Sequence, residues 1–183
     1  MVDVVDLPRP FPKCYWILPG RLLAGEYPGD LNETRAVQKI NGLLDCGMNF
    51  YVDLTETGEL IPYKPALLLL AAQRNIQIGY QRMPVRDLDV PTHQEMVAIL
   101  DLLDQALDDN RSVYLHCWGG AGRTGTVVGC YLVRHGMQPW LALEKINRLR
   151  QVIPIEVRRN SPEMPTQIEM VNSWKEDFQD DRR

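Results

Sequence analysis

Val113-Tyr114-Leu115-His116-Cys117-Trp118-Gly119-Gly120-Ala121-Gly122-Arg123-Thr124-Gly125-Thr126 passes from a short apolar run, through a glycine-rich turn, into a second apolar segment. The first part predicts a buried strand over Ser112–His116. Residues 117–123 read as a turn, because Gly119, Gly120 and Gly122 punctuate them. Thr124–His135 reads as a helix closed by Gly136. A strand, a glycine turn and a helix in that order are the repeating unit of an α/β fold.

The pattern continues outward from this stretch. Strands are expected at Cys14–Leu18, Arg21–Ala24, Asn49–Thr55 and Ile76–Met83. Helices are expected at Asn32–Asp45, at Pro65–Arg74 as a short buried element, at Leu141–Gln151 and at Thr166–Phe178. The capping box Thr92-His93-Gln94-Glu95 opens another helix that runs to about Asp109. Strands alternating with helices imply a single α/β domain with a central, mostly parallel sheet flanked by helices. Residues 1–13 carry Pro8, Pro10 and Pro12 and read as an extended N-terminal arm. The domain spans 14–178, and 179–183 is a charged tail.

The 183 residues are 45% hydrophobic and 24% charged, a globular composition. A net charge of −4 argues against a duplex nucleic-acid partner and against polybasic membrane attraction. No run approaches a membrane span, and the N-terminus lacks the marks of a secretory signal. The four cysteines, Cys14, Cys46, Cys117 and Cys130, show neither paired nor metal-type spacing. A cytoplasmic chain with free thiols, no metal and no cofactor is the simplest reading.

The turn after Leu115 carries the chemistry. Its glycines allow the backbone to aim successive N–H groups inward, and Arg123 stands where the next helix begins. Trp118, Gly119, Gly120, Ala121, Gly122 and Arg123 would then form a nest for a tetrahedral oxyanion such as phosphate. The same amides, helix terminus and guanidinium favour the thiolate of Cys117. A thiolate beneath a bound phosphate is a nucleophile aligned on phosphorus.

His116-Cys117-x5-Arg123-Thr124 resembles the signature of the cysteine-based protein tyrosine phosphatase superfamily, and the short chain resembles its dual-specificity branch. Gly20-Arg-Leu-Leu-Ala-Gly-Glu-Tyr-Pro28 and the Gly119-Gly120 pair look like small bacterial members. The resemblance implies a metal-independent phosphatase working through a phosphocysteine, with a phosphorylated protein as substrate. It implies a general acid in Pro84-Val85-Arg86-Asp87-Leu88-Asp89-Val90-Pro91, carried onto Asp87 with Asp89 as the alternative. Thr124 matches the hydroxyl that steadies the leaving sulfur, and His116 the residue that braces the loop. Gln167, in Ser161-Pro-Glu-Met-Pro-Thr-Gln167, matches a residue that orients water in some relatives. The loop residues 118–122 include no Lys or Arg, which favours phosphotyrosine, phosphoserine or phosphothreonine in proteins over phosphoinositides.

Other readings compete. Gly120-x-Gly122-x-x-Gly125 satisfies the dinucleotide fingerprint, but Glu144, at the distance where that fold wants an acid, lies in a helical pattern. No Lys follows the last glycine as a nucleotide P-loop requires. A phosphoprotein-binding module without turnover, an inositol phosphate phosphatase, and sulfur or arsenate chemistry are the remaining alternatives. Trp118 is expected to pack, Arg158-Arg159 to be a solvated turn, and Cys14, Cys46 and Cys130 to be inert thiols.

Overall fold

The computed structural model describes residues 7–176. Five strands form one sheet: β1 (Cys14–Leu18), β2 (Leu22–Gly25), β3 (Phe50–Asp53), β4 (Gly79–Arg82) and β5 (Val113–His116). Their order is β1-β2-β5-β3-β4. The β1–β2 pair is antiparallel and the other three pairings are parallel. Among the described residues six α-helices accompany the sheet: α1 (Glu33–Asp45), α2 (Lys64–Gln73), α3 (His93–Asp108), α4 (Gly122–Arg134), α5 (Pro139–Leu149) and α6 (Pro165–Ser173). This is the α/β domain with a mostly parallel sheet that the alternation of elements implies.

Strand alternation sorts the core into two layers. Ile17, Leu22, Val52, Leu54, Val113 and Leu115 join the cluster that holds the apolar faces of α3, α4, α5 and α6. Trp16, Leu23, Tyr51 and Tyr114 point the other way and join α1 and α2. The central strand β5 is buried at all four positions. That explains its continuous rather than alternating apolar character. Each fully buried Leu or Val in these layers contributes about 2 kcal/mol.

Local chemistry sets most boundaries. Asn32 caps α1 by accepting from the Arg35 N–H, and Thr92 with Glu95 forms the expected capping box of α3. Five details differ from the sequence reading. Helix α4 begins at Gly122, within the turn. Strand β4 begins only at Gly79, where a Cβ would overlap the Phe50 ring. Helix α5 ends at Leu149, and a 3-10 turn follows at Arg150–Val152. Helix α2 is not buried: Leu67 and Ala71 face the core, but Leu68 and Leu69 are exposed. The last helix ends at Ser173, and Phe178 lies outside the described residues, as do residues 1–6 and the tail. Residues 7–13 lie along the body, with Phe11 buried edge-on against Tyr114. Among the described residues no helix is long and apolar enough to cross a membrane.

Parallel register places Gly25, His116, Asp53 and Arg82 in one row across the carboxyl edge of four adjacent strands. Sites in open α/β sheets form at that edge. The glycine-rich turn leaves the sheet there, from its central strand.

Candidate active site

The connection between β5 and α4 is only Cys117–Ala121. Its carbonyls at Trp118, Gly120 and Ala121 find donors in the surrounding structure. Trp118 O accepts from the Tyr27 N–H at 2.9 Å, and Gly120 O from Arg150 Nη1 at 2.6 Å. Ala121 O accepts from Ser161 Oγ at 2.8 Å and from the Gly125 N–H at 3.0 Å. The N–H groups of residues 118–121, by contrast, have no acceptor among the described residues. Those of Gly122 and Arg123 belong to the first turn of α4, where a helix leaves its donors unpaired. The loop is therefore a ring of free amide donors held from outside by its own carbonyls. Gly120 makes the turn possible: its φ is +66°, and a Cβ there would land in the backbone of Gly25. Cys117 is buried at the base of this loop.

Arg123 is not a solvent-facing residue at the lip; its side chain is buried. Glu59 accepts from Nη2 at 2.7 Å and from Nη1 at 2.8 Å. Nη1 also donates to Val85 O at 3.0 Å, and Asp87 Oδ1 lies 3.0 Å from Nη2. The Nε–H, buried, has no partner among the described residues. Burial opposes the charge on Glu59, but donation from Arg123 and from the Glu56 N–H outweighs it and holds the carboxyl below its usual range.

The two acids of the 84–91 segment face differently. Asp87 points at Arg123, with its side chain about half exposed. Asp89 turns its carboxylate back to the Val90 N–H at 2.9 Å. Leu88 between them has φ +62°, which is what reverses the chain. Gln167 is buried and ties this segment down: its Nε2 donates to Asp89 O at 3.1 Å. Its Oε1 accepts from the Glu163 and Met164 N–H groups at the start of α6. Gly122 is its close neighbour across the loop.

His116 is fully buried beneath Cys117. Nδ1 lies 3.4 Å from Cys117 O and Nε2 lies 2.7 Å from the Tyr63 hydroxyl. A carbonyl only accepts, so Nδ1 carries the hydrogen and Nε2 accepts from Tyr63. Burial pushes the His116 pKa down to about 4, against the pull of Asp53, whose Oδ1 is 3.9 Å away. The imidazole is thus neutral. Asp53 is itself held by Thr55, by Tyr80 at 2.5 Å and by Arg82 at 2.9 Å. Thr124 is buried on the first turn of α4, and its hydroxyl has no hydrogen-bond partner among the described residues.

Trp118 does not pack into the core. It stands on the rim with Arg159 stacked over it, 5.0 Å from guanidinium carbon to ring centre. The remaining thiols are remote from this chemistry: burial raises Cys14 to about 12 and Cys130 further still.

Glu59, Tyr63, Arg150 and Ser161 are participants that sequence reading missed. Glu59 and Tyr63 follow β3, and the carboxyl end of a central strand is where such residues belong; that was a usable signal. Arg150 had none. It is a buried guanidinium over the Tyr15 ring, and among the described residues it meets carbonyls rather than a carboxylate.

A family model described as the Swiss Army Knife protein, DSP-PTPase phosphatase domain, matches residues 11–171. The chain belongs to this family. This DSP-PTPase domain is 31% identical over 120 residues to cyclin-dependent kinase inhibitor 3 of Sus scrofa, covering 63% of the chain and 56% of that relative. It thus spans little more than half of the relative's length. Tk-PTP in its active form superposes with a TM-score of 0.66 at 22% identity, over 88% of this chain and 95% of the other. The core domain of the PP-IP phosphatase SIW14 from S. cerevisiae gives 0.64 at 14% identity, over 94% and 91%. At such identities the likeness is one of fold.

Proposed function

We propose that this DSP-PTPase domain hydrolyses phosphomonoesters of proteins through a phosphocysteine. The observation that carries the reading is a convergence of unpartnered donors. Among the described residues, the amides of residues 118–123 and the buried Nε–H of Arg123 are left over in the loop that begins at Cys117. Buried donors without acceptors cost about 1–3 kcal/mol each, so a fold keeps them where a ligand satisfies them. Several donors in a ring, with a guanidinium among them, fit a dianionic phosphate.

In this reading the Cys117 thiolate attacks phosphorus, forming the S–P bond as the P–O bond to the substrate breaks. Asp87 gives its proton to the departing oxygen. Its carboxylate then takes a proton from water, which attacks phosphorus and breaks the S–P bond. The Thr124 hydroxyl donates to the departing sulfur. Arg123 and the amides hold the transferring group throughout. Neutral His116 orients the Cys117 carbonyl and carries no proton between reactants. Gln167, fixed against Asp89 and Gly122, is suited to orient the water.

The substrate side of the proposal rests on the loop, which offers no cation beyond Arg123 for a second phosphate. Phosphotyrosine fits it, and so do phosphoserine and phosphothreonine. Hydrolysis of p-nitrophenyl phosphate in EDTA tests the reaction class. Wild type should release phosphate and Cys117→Ser should release none. An active Cys117→Ser variant, or reversible loss of activity in chelator, overturns the proposal.

A further inference from the structure

A cleft of about 440 Å³ opens beside the phosphate loop and shares two of its walls, Trp118 and Glu59. Its volume is in the range of ligand-binding pockets. Three large apolar side chains border it from three separate segments: Leu31 is 89% exposed, Ile61 56% and Trp118 48%. Exposed apolar residues scattered singly need no explanation, but three converging on one cleft next to the glycine-rich loop do.

The charges in the cleft are already satisfied. Lys39 Nζ lies 2.9 Å from Glu26 and 3.9 Å from Asp30, and donates to Tyr27 O. Lys13 holds the other oxygen of Glu26 at 3.2 Å. Glu59 is spent on Arg123. On the rim, Arg159 is stacked on Trp118 and lies 3.3 Å from Glu163. Among the described residues, then, the cleft lining presents carboxylates and apolar surface but no uncommitted cation. A second phosphate entering it would meet Glu26 and Asp30. An apolar side chain would meet Leu31, Ile61 and Trp118 and be stabilised by leaving water.

We infer that this cleft seats the polypeptide flanking the phosphorylated residue and selects an apolar side chain beside it. The inference rests on the phosphoprotein reading above and narrows it. Substrates with a clustered second phosphate or an acidic neighbour are disfavoured.

The test separates catalysis from docking. Leu31→Ser/Ile61→Ser alters two exposed positions outside the reacting groups. With phosphopeptides carrying Leu or Phe next to the phosphoresidue, the double variant should raise KM about tenfold and leave kcat unchanged. With p-nitrophenyl phosphate, too small to reach Leu31, it should match wild type. A phosphopeptide with flanking Glu should be the poorer substrate of wild type and insensitive to the variant. An unchanged KM for the apolar peptides, or faster turnover of the Glu peptide or of a soluble inositol polyphosphate, overturns the inference. If wild type fails on every phosphomonoester, the hydrolase reading fails by itself. Fluorescence anisotropy with the same peptides then decides the cleft, where a tenfold weaker Kd in the double variant supports it and an equal Kd refutes it.

Discussion

Glu59 grips Arg123 with both carboxylate oxygens, at 2.7 and 2.8 Å, and so leaves the buried Nε–H as the donor without a partner among the described residues. The clasp fixes the plane of the guanidinium. Preorganised donors are worth more than mobile ones, because no reordering is needed when the anion arrives.

Glu59→Gln keeps the size of the clasp and removes its charge. The guanidinium should lose its fixed plane and be drawn toward Asp87. We expect kcat/KM for p-nitrophenyl phosphate to fall roughly 30-fold, and stability to fall by about 2 kcal/mol. Steady-state kinetics and urea unfolding measure both, and an unchanged kcat/KM would remove Glu59 from the positioning role.

Asp87 and Asp89 are two residues apart and face opposite ways. Asp87→Asn should lower kcat about 100-fold or more, erase the alkaline limb of the pH–rate profile and leave phosphopeptide binding intact. Asp89→Asn keeps an acceptor for the Val90 N–H and should keep both limbs. The reverse pattern in pH–rate profiles would transfer the acid role to Asp89.

Adjacent glycines in the loop should respond unequally. Gly120→Ala puts a methyl into the Gly25 backbone at positive φ, and we expect a loss of at least about 3 kcal/mol together with activity. A Cβ on Gly119 meets nothing nearer than the Arg159 guanidinium at 3.7 Å. Gly119→Ala should therefore fold with a thermal midpoint within a few degrees of wild type. Thermal unfolding of the two variants decides it, and equal losses would mean that the loop is not shaped as described.

His116 makes stability depend on pH. Burial holds its folded pKa at about 4 against an ordinary 6.5. Between those values the unfolded chain binds a proton that the folded chain refuses. Stability therefore falls as pH drops from 6.5 toward 4, by up to about 3 kcal/mol. Urea midpoints from pH 7.5 to 4.5 should trace this slope, and His116→Asn should flatten it. A wild-type midpoint constant over that range would contradict a neutral buried imidazole.

Much of this protein is determined by local sequence. The strand–turn–helix around Cys117 was readable because a six-residue span must contain its own turn residues, helix start and anion donors. The capping box of α3 and the continuous apolar run of β5 are likewise local. The site residues named from that loop and from the 84–91 segment do meet: Arg123 reaches Asp87 although 36 positions separate them. Sequence did not choose between Asp87 and Asp89, because a backbone reversal at Leu88 decides which carboxylate faces the loop. Nor did it reveal Glu59, Tyr63 or Arg150, or the rim position of Trp118. Those depend on strand order and register. Parallel pairing of β3, β4 and β5 puts Asp53, Arg82 and His116 in one row, and packing of the 150–161 segment behind the loop supplies donors for its carbonyls. Short-range propensity carries no record of which distant backbone carbonyl needs a donor; only the closed core sets that.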